Sequence, residues 1–214
     1  DDIDILAQKG VTAVHNPVSN LKLASGIAPI ERMREKGINV ALGTDGAASN
    51  NTMDMFEELK LTAILQKGAT HVATAMPAAE ALKISAQNGA RALGFNDVGE
   101  IKAGNRADIV LIGSANPAHT ASRDVPGTLV YATSGADVRM TMVDGRVLYM
   151  DGEFKTLDEG RVRAEFAHAV FLPDADIPFT TCCSGPVQAG TTTPPGHIQN
   201  VYTPLPSGVR HDNL

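Results

Sequence analysis

Gly43-Thr44-Asp45-Gly46-Ala47-Ala48-Ser49-Asn50-Asn51 follows directly on the apolar run Ile38 to Leu42. The run is too short for a helix and predicts a buried strand. That puts Asp45 at the strand's carboxyl end, where α/β barrels and open α/β sheets gather their chemistry. Outward from this stretch, between Asp2 and about Gly94, apolar runs alternate with helical patterns: Val11 to Val14, Ile30 to Glu35, Ile38 to Leu42, Met53 to Leu65 and Ala78 to Leu93. Strands and helices taking turns predict βα units around a parallel sheet, so the fold class is α/β. Lys9-Gly10 and Lys36-Gly37 each place a cation and then a glycine at a helix end before the next strand, which suits the helix dipole and a left-handed cap.

The rhythm changes from about Val98 to Asp151. Short β runs follow, Asp108 to Ile112, Val138 to Val143 and Arg146 to Tyr149, and Asp144-Gly145 between the last two is a two-residue hairpin signal. Asp158 then caps a helix whose apolar Val162, Phe166 and Val170 recur at fourfold spacing. Beyond Phe171, prolines from Pro173 to Pro206 in a Thr/Gly/Ser background leave no periodic apolar face, which predicts a disordered tail. The expected division is therefore 1–97 for the βα units, 98–152 for the β segment, 153–172 for the helix and 173–214 for the tail. Cys182, Cys183, His197 and His211 fall in the tail and are read as solvated.

Composition narrows the function. At 43% hydrophobic over 214 residues the chain can bury a sizeable core, and it has no apolar run of ~18 residues to cross a membrane as a helix. A net charge of -6, no Trp and 4% aromatics leave neither a basic stripe nor stacking platforms, so nucleic acid is not the expected partner. The adjacent Cys182 and Cys183 form neither a zinc ribbon nor a disulfide framework, which fits a reducing compartment and a cytoplasmic protein. The first residues read as the middle of a helix with no initiator Met or signal pattern, so the expectation is a cut start.

The candidate site residues each have two readings. Asp45-Gly46 suits a working carboxylate, and equally an Asx turn or an anion-binding loop ahead of the helix from Met53. His15 ends an apolar strand as a ligand-contacting or a core residue. Ser19 and Asn20 either brace the loop before Leu21 or touch a ligand. Ser49, four residues past Asp45, points into the same mouth, whereas Asn50 and Asn51 shape the turn. Lys22 reads as solvated or packing. His71 and His119 sit in polar loop contexts and His168 on the late helix, without the spacing of metal ligands.

Taken in order, His15-Asn16-Pro17-Val18-Ser19-Asn20-Leu21-Lys22-Leu23-Ala24-Ser25-Gly26, then Gly43-Thr44-Asp45-Gly46 with Ser49-Asn50-Asn51 and Asp54-Met55-Phe56-Glu57-Glu58, resemble the amidohydrolase superfamily. The closest branch holds 5-methylthioadenosine/S-adenosylhomocysteine deaminases and triazine chlorohydrolases. Gly99-Glu100-Ile101-Lys102-Ala103-Gly104-Asn105-Arg106-Ala107-Asp108-Ile109-Val110 and Val143-Asp144-Gly145-Arg146-Val147 resemble the returning strands of that family's small β-sandwich. The resemblance covers about residues 1 to 170.

The resemblance implies a (β/α)₈ TIM-type barrel binding one divalent metal through a His-x-His pair on strand one, histidines on strands five and six, and an Asp ending strand eight. Asp45 matches that Asp, as metal ligand and catalytic base together; Val11 to Val14 match strand seven and Ile38 to Leu42 strand eight. Zinc is the implied metal, with iron, nickel or manganese as alternatives for a His/Asp site. The substrate is a purine nucleoside or similar heterocycle, contacted here by Ser49, His15 and Asn20. No His-x-His and no spaced His/Cys cluster occurs in these 214 residues, so the chain is expected to be a fragment, inactive in isolation. The leading expectation is an adenosine-type deaminase. The alternatives are a triazine-type chlorohydrolase or other ring deaminase and, in another class, a catalytically incomplete homologue acting as a binding or assembly module. A homo-oligomer is compatible with each.

Overall fold

The computed structural model describes residues 1–120 and 123–171, which form two compact units. The first comprises residues 1–105 and 114–137. Its elements are α1 (Asp2–Gln8), β1 (Thr12–His15), α2 (Pro17–Lys22), α3 (Ile30–Glu35), β2 (Asn39–Leu42), α4 (Met55–Thr70), α5 (Ala78–Ser85), α6 (Gln87–Ala92), α7 (Pro117–Thr120) and α8 (Val125–Tyr131). Asp1 stands at the N-cap of α1, its carboxylate accepting the Asp4 N–H at 3.1 Å.

Strands β1 and β2 pair in parallel, from Thr12 opposite Asn39 to His15 opposite Leu42. Gly10 (φ 63°) and Gly37 (φ 77°) take the left-handed conformation ahead of each strand, as their place after Lys9 and Lys36 predicts. The core lies on one face of the pair, where Val40 and Leu42 meet Ile30, Met33, Leu59, Ala63 and Ile84. Each of the larger side chains contributes about 1.5–3 kcal/mol by leaving water.

Two helices differ from the sequence expectation. The helix expected to start at Met53 starts at Met55, because Met53 is left-handed (φ 48°) and the Asp54 carboxylate caps the Phe56 N–H at 2.9 Å. The segment Ala78 to Leu93 breaks at Ala86, and α6 packs on β2. There the Asn88 side chain donates to the Val40 carbonyl at 2.8 Å, and the Asn39 side chain donates to the Asn88 carbonyl at 3.1 Å. Those tertiary bonds override a periodicity that ran unbroken through the sequence.

The second unit comprises residues 106–113 and the described residues from 138 onward. It holds one antiparallel sheet in the order β3 (Ile109–Ile112), β4 (Val138–Val143), β5 (Arg146–Met150), β6 (Glu153–Phe154), followed by α9 (Glu159–Phe171). Asp144 (φ 51°) and Gly145 (φ 74°) both adopt positive φ, the geometry that matches the twist of a two-residue hairpin. The Asp108 carboxylate accepts the Asp144 N–H at 2.7 Å and clamps the turn. Asp158 caps α9 through the Arg161 N–H at 3.0 Å, yet Val162 and Phe166 remain 49% and 69% exposed, so the expected apolar stripe is not buried here. The expected disordered tail, with Cys182, Cys183, His197 and His211, lies outside the described residues. Among the described residues no helix is long and apolar enough to cross a membrane.

Candidate functional site around Asp45

The β2 strand delivers its chain into a loop that approaches β1 closely. A Cβ on Gly43 would lie 2.5 Å from Asn16 Oδ1 and 2.9 Å from Val14 Cγ1, so a larger residue fits only if those side chains move aside. Two residues on, Asp45 sits at φ 60°, a conformation few non-glycine residues adopt. Its carboxylate is held on both oxygens. Oδ1 accepts the Gly46 N–H at 2.8 Å, and Oδ2 accepts the hydroxyls of Ser19 at 2.7 Å and Ser49 at 2.9 Å. The Ser19 hydroxyl foremost, then the Gly46 N–H and the Ser49 hydroxyl, hold the Asp45 carboxyl below the usual carboxylate range. Asp45 is therefore ionised at neutral pH.

Ser19 comes from α2, which opens with Pro17 at a first-turn position and follows directly on β1. The structure thus unites Asp45, Ser49 and Ser19. Ser49 and Asp45 were legible as neighbours from their spacing; the bond to Ser19 crosses from the other βα unit and was not. His15 and Asn20 lie nearby and deeper, 3% and 2% exposed, and with Ser19 and Asp45 they line one cavity of about 430 Å³ that extends to apolar Leu6, Ile30 and Met33. Neither ring nitrogen of His15 has a hydrogen-bond partner among the described residues, and burial pushes the imidazole down to about 4. His15 is neutral at pH 7.

Lys22 and Glu58 play parts that their sequence positions do not announce, and Asn50 links Glu58 to the turn. Lys22 is neither free nor simply packed: its Nζ donates to the Ala48 carbonyl at 2.9 Å and to Asn51 Oδ1 at 2.6 Å, strapping the Asp45 loop to α2. Asn50 shapes the turn as expected, from a fully buried position, donating to the Thr44 carbonyl at 3.0 Å. Glu58, fully buried on α4, accepts the Val18 N–H at 3.1 Å and the Asn50 side-chain amide. Loss of hydration pushes the Glu58 carboxyl up to about 7, against the pull of the Val18 N–H. Its signal was present as a polar row, Glu58, Thr62 and Gln66 at fourfold spacing, that occupies the buried face of α4 beside Leu59 and Ala63.

His119 is not in a polar loop. It lies on α7 with its side chain 7% exposed, 3.8 Å from the Asp137 carboxylate and 3.2 Å from Thr133 Oγ1. His71 ends α4 in the left-handed conformation, φ 57°. Among the described residues no three His, Cys, Asp or Glu side chains gather as a metal cluster. Asp45 matches a metal site in kind, as an oxygen donor, and not in number, since a catalytic zinc takes about three protein ligands.

Residues 1–148 match the model of the Amidohydrolase family. The 5′-deoxyadenosine deaminase of Methanosarcina mazei is 49% identical over 164 residues, covering 77% of this chain and 38% of that protein. The 5-methylthioadenosine/S-adenosylhomocysteine deaminase of Dictyoglomus thermophilum is 46% identical over 171 residues, covering 80% and 40%. Among solved structures, an adenosine deaminase from Xanthomonas campestris with bound zinc aligns at a TM-score of 0.75 and 38% identity, covering 78% of this chain and 38% of that one. Atrazine chlorohydrolase from Arthrobacter aurescens, complexed with zinc, aligns at 0.70 and 26% identity over 78% and 37%. The chain spans about two fifths of the length of these curated relatives. With a parallel βα pair that ends in a braced carboxylate, and a family match over residues 1–148, this chain belongs to the amidohydrolase family.

Proposed function

We propose that this chain is the C-terminal part of a metal-dependent hydrolase that deaminates an adenosine-type nucleoside, with Asp45 as its working carboxylate. The observation that carries the reading is the Asp45 carboxylate itself: ionised, gripped by Ser19, Ser49 and Gly46, and set just past β2. The names of the relatives, deaminases of 5′-deoxyadenosine and 5-methylthioadenosine, support the substrate class. On this reading residues 1–97 are the last βα units of a barrel, and within 98–152 the strands β3 to β5 are a segment of a small β-sandwich, α7 and α8 belonging to the first unit. Ser49, His15 and Asn20 face the substrate, and the protein works in the cytoplasm.

The chemistry asked of these residues is proton transfer. Water adds to the ring carbon bearing the exocyclic amine, the C=N pair moving onto the ring nitrogen, and gives one proton to Asp45. Asp45 passes that proton to the amine, the C–N bond breaks and ammonia leaves as the ring nitrogen's pair re-forms the double bond; the remaining hydroxyl proton then moves to the ring nitrogen and leaves a carbonyl. Ser19 and Ser49 keep the carboxylate charged and aimed, so that it accepts a proton only from an activated water. Since the described residues supply one metal donor, the remaining ligands lie outside them, and the isolated chain is inactive. A divalent metal completed in that way would supply a water of lowered pKa.

The test uses the protein of the complete coding sequence, wild type and Asp45→Asn, assayed for ammonia release from 5′-deoxyadenosine and 5-methylthioadenosine and for chloride release from atrazine. The expected result is ammonia release that falls by roughly 10²–10⁴-fold in the variant. Ammonia release unchanged in the variant overturns the role of Asp45, and chloride release without ammonia release replaces the deaminase by a chlorohydrolase.

A further inference from the structure

A buried carboxylate is costly, and a leucine at position 58 would gain burial energy beside Leu59 and Ala63. What Glu58 does in return is fixed by the polarity of its partners. Its Oε2 accepts the Val18 N–H at 3.1 Å, and its Oε1 accepts the Asn50 amide. That same amide donates to the Thr44 carbonyl at 3.0 Å, while Asn50 Oδ1 accepts the Met53 N–H at 3.0 Å. Both amide hydrogens of Asn50 are given and its oxygen is taken, so the amide cannot turn over without setting its NH₂ against the Met53 N–H. Position 58 must therefore accept twice, which a carboxylate does and a carboxamide does not.

The two groups that Glu58 holds are one residue removed from the site. Val18 precedes Ser19, whose hydroxyl reaches Asp45; the Thr44 carbonyl, held through Asn50, precedes Asp45 itself. We propose that Glu58 is a positioning residue that ties the first turn of α2 and the loop after β2 to one point on α4, and so keeps the Ser19 hydroxyl on the Asp45 carboxylate. The catalytic consequence rests on the reading of Asp45 given above; the coupling of α2 to the β2 loop does not.

The coupling is read on this chain by amide hydrogen exchange at single residues. Glu58→Gln keeps size and one acceptor but turns an NH₂ on either the Val18 N–H or the Asn50 amide. Exchange rises about tenfold or more at the end that meets the NH₂, at Val18 itself or, through Asn50, at Gly46, while Gly43, whose N–H is held by the His15 carbonyl at 2.9 Å, keeps its wild-type rate. The double variant Asn50→Asp with Glu58→Gln reverses the polarity: residue 58 now donates to residue 50 and still accepts from Val18. Val18 is then protected, and Gly46 is fast because residue 50 no longer donates to Thr44.

Wild-type exchange at both Val18 and Gly46 in Glu58→Gln overturns the proposal, as does equal acceleration at Gly43. Should that variant lose protection throughout, Asn50→Ser removes the same link without altering α4, and slow exchange at Gly46 there overturns it. In the complete enzyme Glu58→Gln lowers kcat about tenfold with KM within about twofold, as expected when the reacting group is misaimed and binding is spared. A complete enzyme without deaminase activity, on a chain that shows the exchange pattern, sinks the deaminase reading and leaves the coupling standing.

Discussion

Asp45 is strained by its backbone and secured by its side chain, so the two contributions can be separated by substitution. Asparagine tolerates the left-handed region and still accepts the Gly46 N–H, and the Ser19 and Ser49 hydroxyls can rotate to accept from its NH₂. Asp45→Asn should therefore change stability by less than about 1 kcal/mol, whereas Asp45→Ala, which loses the bonds at a strained position, should cost about 1–2 kcal/mol in urea unfolding. Equal losses in the two would show that the bonds contribute nothing. His15 and Glu58 make a second prediction at this scale. The His15 imidazole is depressed to about 4, so its contribution, on the order of 3 kcal/mol, is present above pH 6.5 and lost as pH falls toward 4. Glu58 is raised to about 7, so it acts in the opposite direction and favours the fold as pH falls from 7 toward 4.5. The two offset each other in the wild type. Urea midpoints should fall with acid in Glu58→Gln and rise in His15→Gln, and the reverse pattern would refute both assignments. Asp45 was legible because a strand end, a glycine and an acid are adjacent in sequence; Glu58 was not, because its partners Val18, on α2, and Asn50, in the loop after β2, lie 40 and 8 residues away.

At the scale of elements, the approach of β2 to β1 depends on Gly43. Gly43→Ala forces Asn16 and Val14 aside and should cost about 1–3 kcal/mol, with the loss visible as faster exchange at the end of β2. Full protection there would mean that Asn16 simply swings away. The helices teach a related lesson. The pattern Ala78 to Leu93 reads as one helix, and the break at Ala86 appears only because Asn88 reaches the Val40 carbonyl. The hairpin at Asp144-Gly145 needed no such help, since a two-residue turn draws its geometry from its own residues.

For the whole molecule the decisive fact is the two-stranded sheet. Among the described residues β1 and β2 pair only with each other, and each leaves an edge unpaired. Such edges favour association, so light scattering should show this chain growing in mass with concentration, and a mass constant over a hundredfold range would argue against it. Elemental analysis of the purified chain should find no more metal in wild type than in Asp45→Ala, because one carboxylate does not hold a catalytic ion; about one ion per chain, lost in the variant, would mean that the site is completed from elsewhere. The sequence by itself determined the α/β class, the two strands, the hairpin and the placing of Asp45 at a strand end, since each depends on neighbours within a few residues. The tertiary structure alone decided that Ser19 grips Asp45, that His15 is buried without a partner among the described residues, that Lys22 straps the loop and that Glu58 braces it. Those contacts join segments distant along the chain, and only packing of the βα units against α4 brings them within reach.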